Sequence, residues 1–398
     1  MPSSPNKHAL IFGATGLIGW GIVNELLSSY TQPSVFSMIT AVTNRPLSAI
    51  DTHWPERSPQ MPELQLVTGI NLLDGTSEDL ATQLKDCVRA VGSITHVFYT
   101  VFVPINEDHV KEAETNSAIM RRVAEAVNSL CQNLESFIYM GGTRGYGIYI
   151  PSSSFTAPLE ESMADNLSSE YAKTVAYPGY RRVLTDASKD RSWKWSEICP
   201  DAVVGFSPIG SNFSLALHWA QYLSLYGYNH GIREPADYGK VEIAFPGSEG
   251  GYNALFTPVS IQSLGRISIH ASLNSDRCGG RILNAVDHGS PTTFRELWPK
   301  ITGWFGLQGV GPADECQLKP SEYIDRYRSL FEDNGKPKAV SAGVGVGNRQ
   351  LDSVGWWLDF DRQLSPDRLR ASGFEEESDP IQGWLEAFEK FRAAGIIF

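Results

Sequence analysis

Residues 10–21 read LIFGATGLIGWG. Three glycines, Gly13, Gly16 and Gly19, recur at every third position between a short apolar run, HALIFG, and a segment with helical periodicity, LIGWGIVNELLSSY. A glycine-rich turn from strand to helix aims backbone N–H groups and the positive end of the helix dipole at one point, which suits a pyrophosphate. Gly13 permits the sharp turn, Gly16 lets phosphate approach the backbone, and Gly19 lets the helix pack on the strand. Thr15, Leu17 and Ile18 complete the loop facing a bound cofactor. A glycine triplet alone is a weak signal, and a purely structural turn is the alternative. The strand–turn–helix setting favours a dinucleotide cradle.

Outward from this loop the pattern alternates. VFSMITAVTN, LQLVTGINLL, ITHVFYTVF and ESFIYMGG read as buried strands, while SEDLATQLKDCVRAV and EDHVKEAETNSAIMRRVAEAVNSLC read as helices. Such alternation predicts βαβ units and a parallel sheet with helices on both faces. The expected fold is α/β, a Rossmann doubly wound parallel sheet with a smaller C-terminal substrate lobe. WSEICPDAVVGFSP adds a strand and its exit loop. The expected division is residues 1–208 for dinucleotide binding and 209–398 for the substrate lobe, with about 280–290 (RILNAVDHG) returning to the sheet. TTFRELWPKITGWFGL reads as a Thr-capped helix and NGKPKAVSAGVGVGNRQ as a loop.

The composition, 42% hydrophobic and 20% charged over 398 residues, is that of a globular protein. The net charge of −12 with scattered basic residues argues against nucleic acid, which needs a concentrated positive surface. No apolar run reaches about 18 residues, so no membrane insertion is expected. The N-terminal stretch lacks a secretory apolar core. The five cysteines are odd in number and widely spaced, which fits reduced thiols and a cytoplasmic location. The histidines show no HxxxH spacing and the cysteines no CxxC, so no metal site is expected.

The end of the second strand selects the cofactor. An acidic residue there would bind the ribose hydroxyls of NAD. This chain has Thr43, Asn44 and Arg45 instead, and Arg45 can make a charge-assisted contact to a 2′-phosphate. NADP(H) is therefore expected, the alternative being a solvated surface arginine. Asn71 and Leu72 stand where adenine would be bound, and Tyr99, Thr100 and Val101 would line the nicotinamide side.

The spacing GxxGxxG resembles that of extended short-chain dehydrogenase/reductases. Further landmarks follow in order: HVFYT, NSAIMRRVAEAV, GGTRGYG, PLEES, WSEICPDAVVGFSP, RILNAVDHGSPTTFRELWPKI and DSVGWWLDF. With them, nearly the whole chain resembles the progesterone 5β-reductase/iridoid synthase-like (PRISE) family, and within it the divergent fungal secondary-metabolism members more than the plant enzymes. The resemblance implies NADPH-dependent reduction of the C=C bond of enones or enals, or carbonyl reduction. It also implies a tyrosine donor supported by a lysine.

Here the chain departs from that pattern. In GGTRGYG the lysine position is Arg144, which keeps the charge but cannot relay a proton as lysine does. The Ser/Thr of many short-chain dehydrogenases falls at Gly141 or Gly142, with Thr143 adjacent. Tyr146 matches the tyrosine that ends the motif. Tyr177 is the expected catalytic phenol, with Tyr171 and Tyr180 as rivals. Arg181, one helical turn on, shares its face. The alternative for Tyr177 is a structural tyrosine at a helix start.

Phe102, Phe213, His218, Trp219 and Phe256 are candidates for an apolar substrate pocket, with ordinary core as the competing reading of each. His218 can also be read as an acid/base. Glu160 and Glu161 in PLEES are read as loop residues rather than paired catalytic carboxylates. The expected function is an NADPH-dependent reductase of a small apolar conjugated carbonyl. Loss of the lysine and hydroxyl keeps open a non-redox isomerase or cyclase on the same scaffold, and a non-catalytic NADP(H) sensor is a third reading. A homodimer is left open.

Overall fold

The computed structural model describes residues 7–28, 30, 35–56, 58–105, 107–150, 155–313, 318–342 and 349–398. Six strands and one late return make a seven-stranded sheet. They are β1 (Lys7–Phe12), β2 (Phe36–Thr43), β3 (Glu63–Thr68), β4 (His96–Tyr99), β5 (Ser136–Met140), β6 (Lys194–Pro200) and the strand Arg281–Ala285. The order is Arg281–Ala285, β6, β5, β4, β1, β2, β3, and every pairing is parallel. The order reverses between β1 and β4, so their C-terminal ends open a crevice at the switch point. The central strands are apolar along their whole length because both faces are covered: Ala9 to Phe12 and Val97 to Tyr99 are all buried.

Helices α1 (Leu17–Leu27), α2 (Ser77–Cys87) and α3 (His109–Leu130) connect these strands. On α3 the buried residues Asn116, Ile119, Met120, Val123, Ala124 and Val127 follow the helical period. The helix Ala176–Ser188 packs against α3 so closely that a Cβ on Gly179 would lie 2.2 Å from Ser117 Oγ. That contact fixes the start of the helix, where Tyr177 sits.

Two compact units are present. The first comprises residues 1–200, 264–285 and 365–375, and the second 201–263, 286–364 and 376–398. The chain thus leaves the first unit at Pro200 rather than at 208 and re-enters it twice, once to add the strand Arg281–Ala285. The second unit has its own aromatic core. Trp219, on the helix Leu215–Asn229, stacks on Trp384 at 5.3 Å and meets Phe245, Phe294 and Trp298 edge-on. The helix Phe294–Trp304 is capped as expected, Thr293 accepting from Glu296 N–H. The segment 334–350, expected as a loop, instead contains the helix Pro337–Ser341, whose proline sits at the first helical position. Residues 343–348 of that segment lie outside the described residues.

Candidate active site

The glycine loop leaves β1 and enters α1. Gly13 has φ +79°, a left-handed conformation that favours glycine, and donates to Val42 O at 3.0 Å. A Cβ on Gly19 would lie 2.2 Å from Gly13 O, and one on Gly16 would lie 3.2 Å from the same oxygen. Gly19 is therefore required for the helix to begin against the strand, and Gly16 leaves only a tight fit for any side chain. Gly16 is the N-cap of α1; no side chain caps that end, and its first turn holds no acid. The first-turn N–H groups are left for an external acceptor. Thr100 at the end of β4 closes the far side, donating through Oγ1 to Phe12 O at 2.8 Å. A backbone cradle with no room for side chains and an uncapped helix start fits a dinucleotide pyrophosphate.

At the adenosine end, Thr43 is buried and its hydroxyl bonds Thr15 Oγ1 at 2.7 Å. Asn44 and Arg45 follow and are exposed. Asn71 is engaged locally: its Oδ1 accepts from Leu73 N–H at 3.1 Å and its amide donates to Asp74 at 2.6 Å. Leu72 is buried. Tyr99 departs from expectation. Its ring points into the core, stacked on Phe137 at 6.5 Å and edge-on to Tyr180 at 6.1 Å, leaving only Thr100 and Val101 beside Gly13.

Tyr177 is the second residue of its helix, and Pro178 occupies the third, where an N–H has no intrahelical partner to lose. The Tyr177 ring lies over the loop after β5: a Cβ on Gly142 would sit 2.8 Å from its hydroxyl, and one on Gly145 3.1 Å from its ring. Its hydroxyl has no hydrogen-bond partner among the described residues. Burial raises its pKa above that of an ordinary phenol, and the charge of Arg144 opposes that shift. The group is a neutral hydrogen-bond donor at neutral pH.

Arg144 lies on the turn Thr143–Tyr146. Its Nη1 donates to Glu112 Oε1 at 2.8 Å and its Nη2 to Thr174 O at 2.9 Å, and its guanidinium sits 5.2 Å from the Tyr149 ring centroid. Its fork thus ties α3 to the segment that leads into Tyr177. Arg181 does not turn to the same place. Its Nε lies 3.0 Å from Glu197 Oε2, a carboxylate buried on β6 that also accepts from Tyr139 OH at 2.6 Å. Burial pushes the Glu197 carboxyl up, and Arg181 opposes it. Tyr146 is likewise engaged: its buried hydroxyl donates to Asn284 Oδ1 at 2.6 Å. Of the rival phenols, Tyr171 donates to Arg144 O at 2.9 Å and Tyr180 is enclosed in the core.

A family description, the PRISE-like Rossmann-fold domain, matches residues 9–398. The chain belongs to the PRISE-like family. It is 27% identical to the short chain dehydrogenase ausT of Aspergillus calidoustus, covering 100% of this chain and 96% of that protein. It is 19% identical to the 3-oxo-Delta(4,5)-steroid 5-beta-reductase of Arabidopsis thaliana, covering 96% and 92%. Among solved structures it resembles the fold of a GDP-mannoheptose C4 reductase from Campylobacter jejuni with NADP bound, at a TM-score of 0.58 and 13% identity over 98% and 99% of the two chains.

Within this PRISE-like domain the substrate candidates scatter. Phe102 is half-buried against the core of the first unit. Phe213 is exposed. Trp219 and Phe256 are buried in the core of the second unit, Phe256 packing on Phe294 at 4.6 Å. His218 is fully buried there, its Nε2 at 2.8 Å from Asp352 Oδ1, with Asp352 also accepting from Ser321 N–H at 3.0 Å; this is a structural joint between helices. Glu161 supports the loop reading of PLEES only in part: it is buried, and its Oε1 accepts from Asn284 N–H at 3.0 Å, bracing the returning strand. Sequence reasoning missed Glu112 and Glu197. The available signal for Glu112 was a carboxylate in register with the apolar stripe of α3, one turn before Asn116. No group of metal-ligating residues occurs among the described residues, and no helix among them is long and apolar enough to cross a membrane.

Proposed function

We propose that this PRISE-like protein is an NADPH-dependent reductase of a small, apolar, conjugated carbonyl compound. The chain is an oxidoreductase of the short-chain dehydrogenase/reductase type, built for a nicotinamide dinucleotide. The observation that carries the reading is the half-buried phenol of Tyr177, lying over the loop after β5 beside the fixed cation Arg144, in the same sheet as the glycine cradle at β1 and β4. Gly13, Thr15, Gly16, Leu17, Ile18 and Gly19 hold the pyrophosphate. Asn44 and Arg45 meet the adenosine 2′-phosphate, which makes NADP(H) the cofactor. Thr100 and Val101 border the nicotinamide side, where the bound cofactor supplies hydride.

Tyr177 donates a hydrogen bond to the oxygen on which negative charge develops, the enolate oxygen of a 1,4-reduction or the alkoxide of a carbonyl reduction. Arg144 stabilises that charge through the phenol and, held by Glu112 and Thr174, cannot shuttle a proton itself. Arg181 and Tyr146, bonded elsewhere, position the helix and the loop. The conjugated substrate class is supported by the printed name of the Arabidopsis relative, a reductase of a 3-oxo-Δ4,5 steroid. The commitment of Arg144 to structure, with no lysine relay, favours as a second reading an isomerase or cyclase that retains the cofactor without consuming it.

The test is loss of NADPH absorbance at 340 nm with a panel of enones, enals and dialdehydes. Substrate-dependent loss is expected, reduced at least about a hundredfold by Tyr177→Phe with NADPH affinity unchanged. Full turnover by Tyr177→Phe removes the donor assignment.

A further inference from the structure

Trp20 belongs to the opening motif, yet the roles of its three glycines leave it unexplained. Its indole is fully buried on α1, and its Nε1–H donates to Thr52 O at 2.6 Å. Trp54 donates in the reverse direction, from Nε1 to Trp20 O at 3.3 Å. Thr52 is itself buried, and its hydroxyl donates to Ala49 O at 2.6 Å. The other end of the same loop is held by the Thr15–Thr43 hydroxyl pair at 2.7 Å. Between these two anchors, residues 44–46 are exposed. Arg45 makes no hydrogen bond or ion pair with any described residue.

We infer that Trp20 and Trp54 form a lock that holds the loop after β2 in place and so present Arg45 to the 2′-phosphate of the adenosine. They are positioning residues for cofactor discrimination, and neither touches the cofactor. The inference rests on the reading of Arg45 given above. A loop tied at one end only would have to surrender its conformational freedom each time the cofactor binds. Tied at both ends, it surrenders that freedom on folding, and the charge of Arg45 acts from a fixed point. One neutral hydrogen bond corresponds to about fivefold in affinity. The effect falls on the phosphate at the 2′ position alone, because the pyrophosphate is held by the glycine loop.

The experiment is calorimetric titration of the full chain with two probes, adenosine 2′,5′-bisphosphate and ADP. The proteins are wild type, Trp20→Phe, Trp54→Phe and Arg45→Ala. Wild type is expected to prefer the bisphosphate. Both tryptophan variants are expected to weaken the bisphosphate about fivefold and ADP less than about twofold. The retained ADP binding reports an intact fold and cradle. If Trp20→Phe fails to fold, the less central Trp54→Phe decides alone. A tryptophan variant that binds ADP normally and keeps the full preference overturns the lock. If Arg45→Ala abolishes the preference while both tryptophan variants retain it, only the lock is wrong. If Arg45→Ala leaves the preference intact, the 2′-phosphate reading is wrong and the lock falls with it.

Discussion

Gly142 occupies one of the two places where many short-chain dehydrogenases carry a catalytic hydroxyl, and its replacement by alanine tests how tightly Tyr177 is placed. The backbone there is extended, with φ 173°, so alanine introduces no backbone strain. The added Cβ would lie 2.8 Å from the Tyr177 hydroxyl, and ordinary contact begins at 3.4 Å, so the hydroxyl must retreat by about 0.6 Å. It cannot simply swing aside, because the ring is bracketed by Gly145 and meets Tyr180 at 6.2 Å between centroids. A misplacement of about 1 Å costs roughly a hundredfold in rate, so a loss of roughly tenfold in kcat is expected here. The obstructing atom is the end of a side chain, which keeps the cost in stability small. The glycine cradle is untouched, so NADPH affinity, measured by fluorescence titration, should stay within about twofold. Gly142→Ser, which restores the hydroxyl, should be no faster than Gly142→Ala. Wild-type kcat in Gly142→Ala, or acceleration in Gly142→Ser, would refute the placement of the phenol.

Arg144→Lys restores the residue type of the resembling family but cannot reproduce the fork that reaches both Glu112 and Thr174 O. A loss of about 1–2 kcal/mol in urea unfolding and no gain in turnover are expected, whereas unchanged stability with faster turnover would show that the fork is dispensable. Asp287 is buried in the second unit, accepting from Ser260 N–H at 2.9 Å and Ser260 Oγ at 2.8 Å, and burial pushes its pKa up from 3.8 to about 6. Because the folded state binds this proton more tightly, the stability it contributes is full below about pH 4 and is lost as pH rises through 6. Asp287→Asn should therefore gain on wild type by about 3 kcal/mol between pH 4 and pH 7, and parallel pH profiles would contradict the assignment.

The parts of this molecule that rest on local chemistry were legible in its sequence. The glycine spacing, the apolar runs of the central strands and the Thr293 cap each depend on neighbours a few residues away. What was not legible depends on where a side chain turns once distant elements pack. Tyr99 ends a strand at the crevice, but strand alternation sends its ring to the core side. Trp219 and Phe256 carry the composition of a pocket and fill a core. Arg144 was legible as a cation near the phenol, but its partner Glu112 lies 32 residues away on α3. The glycines at 141 and 142 read as a missing hydroxyl. The structure shows why neither position can simply accept one: a Cβ on Gly141 would lie 2.3 Å from Glu197 Oε1, and the space beside Gly142 is taken by the phenol.

Hydride transfer is read most directly by following deuterium from NADPH labelled at nicotinamide C4 into the product of a conjugated carbonyl substrate. A product heavier by one deuterium on carbon and one solvent-derived proton, formed in step with cofactor oxidation, is expected. An isomeric, unlabelled product formed while the cofactor stays reduced would contradict it, and would leave the glycine loop holding a nucleotide that the chemistry does not consume.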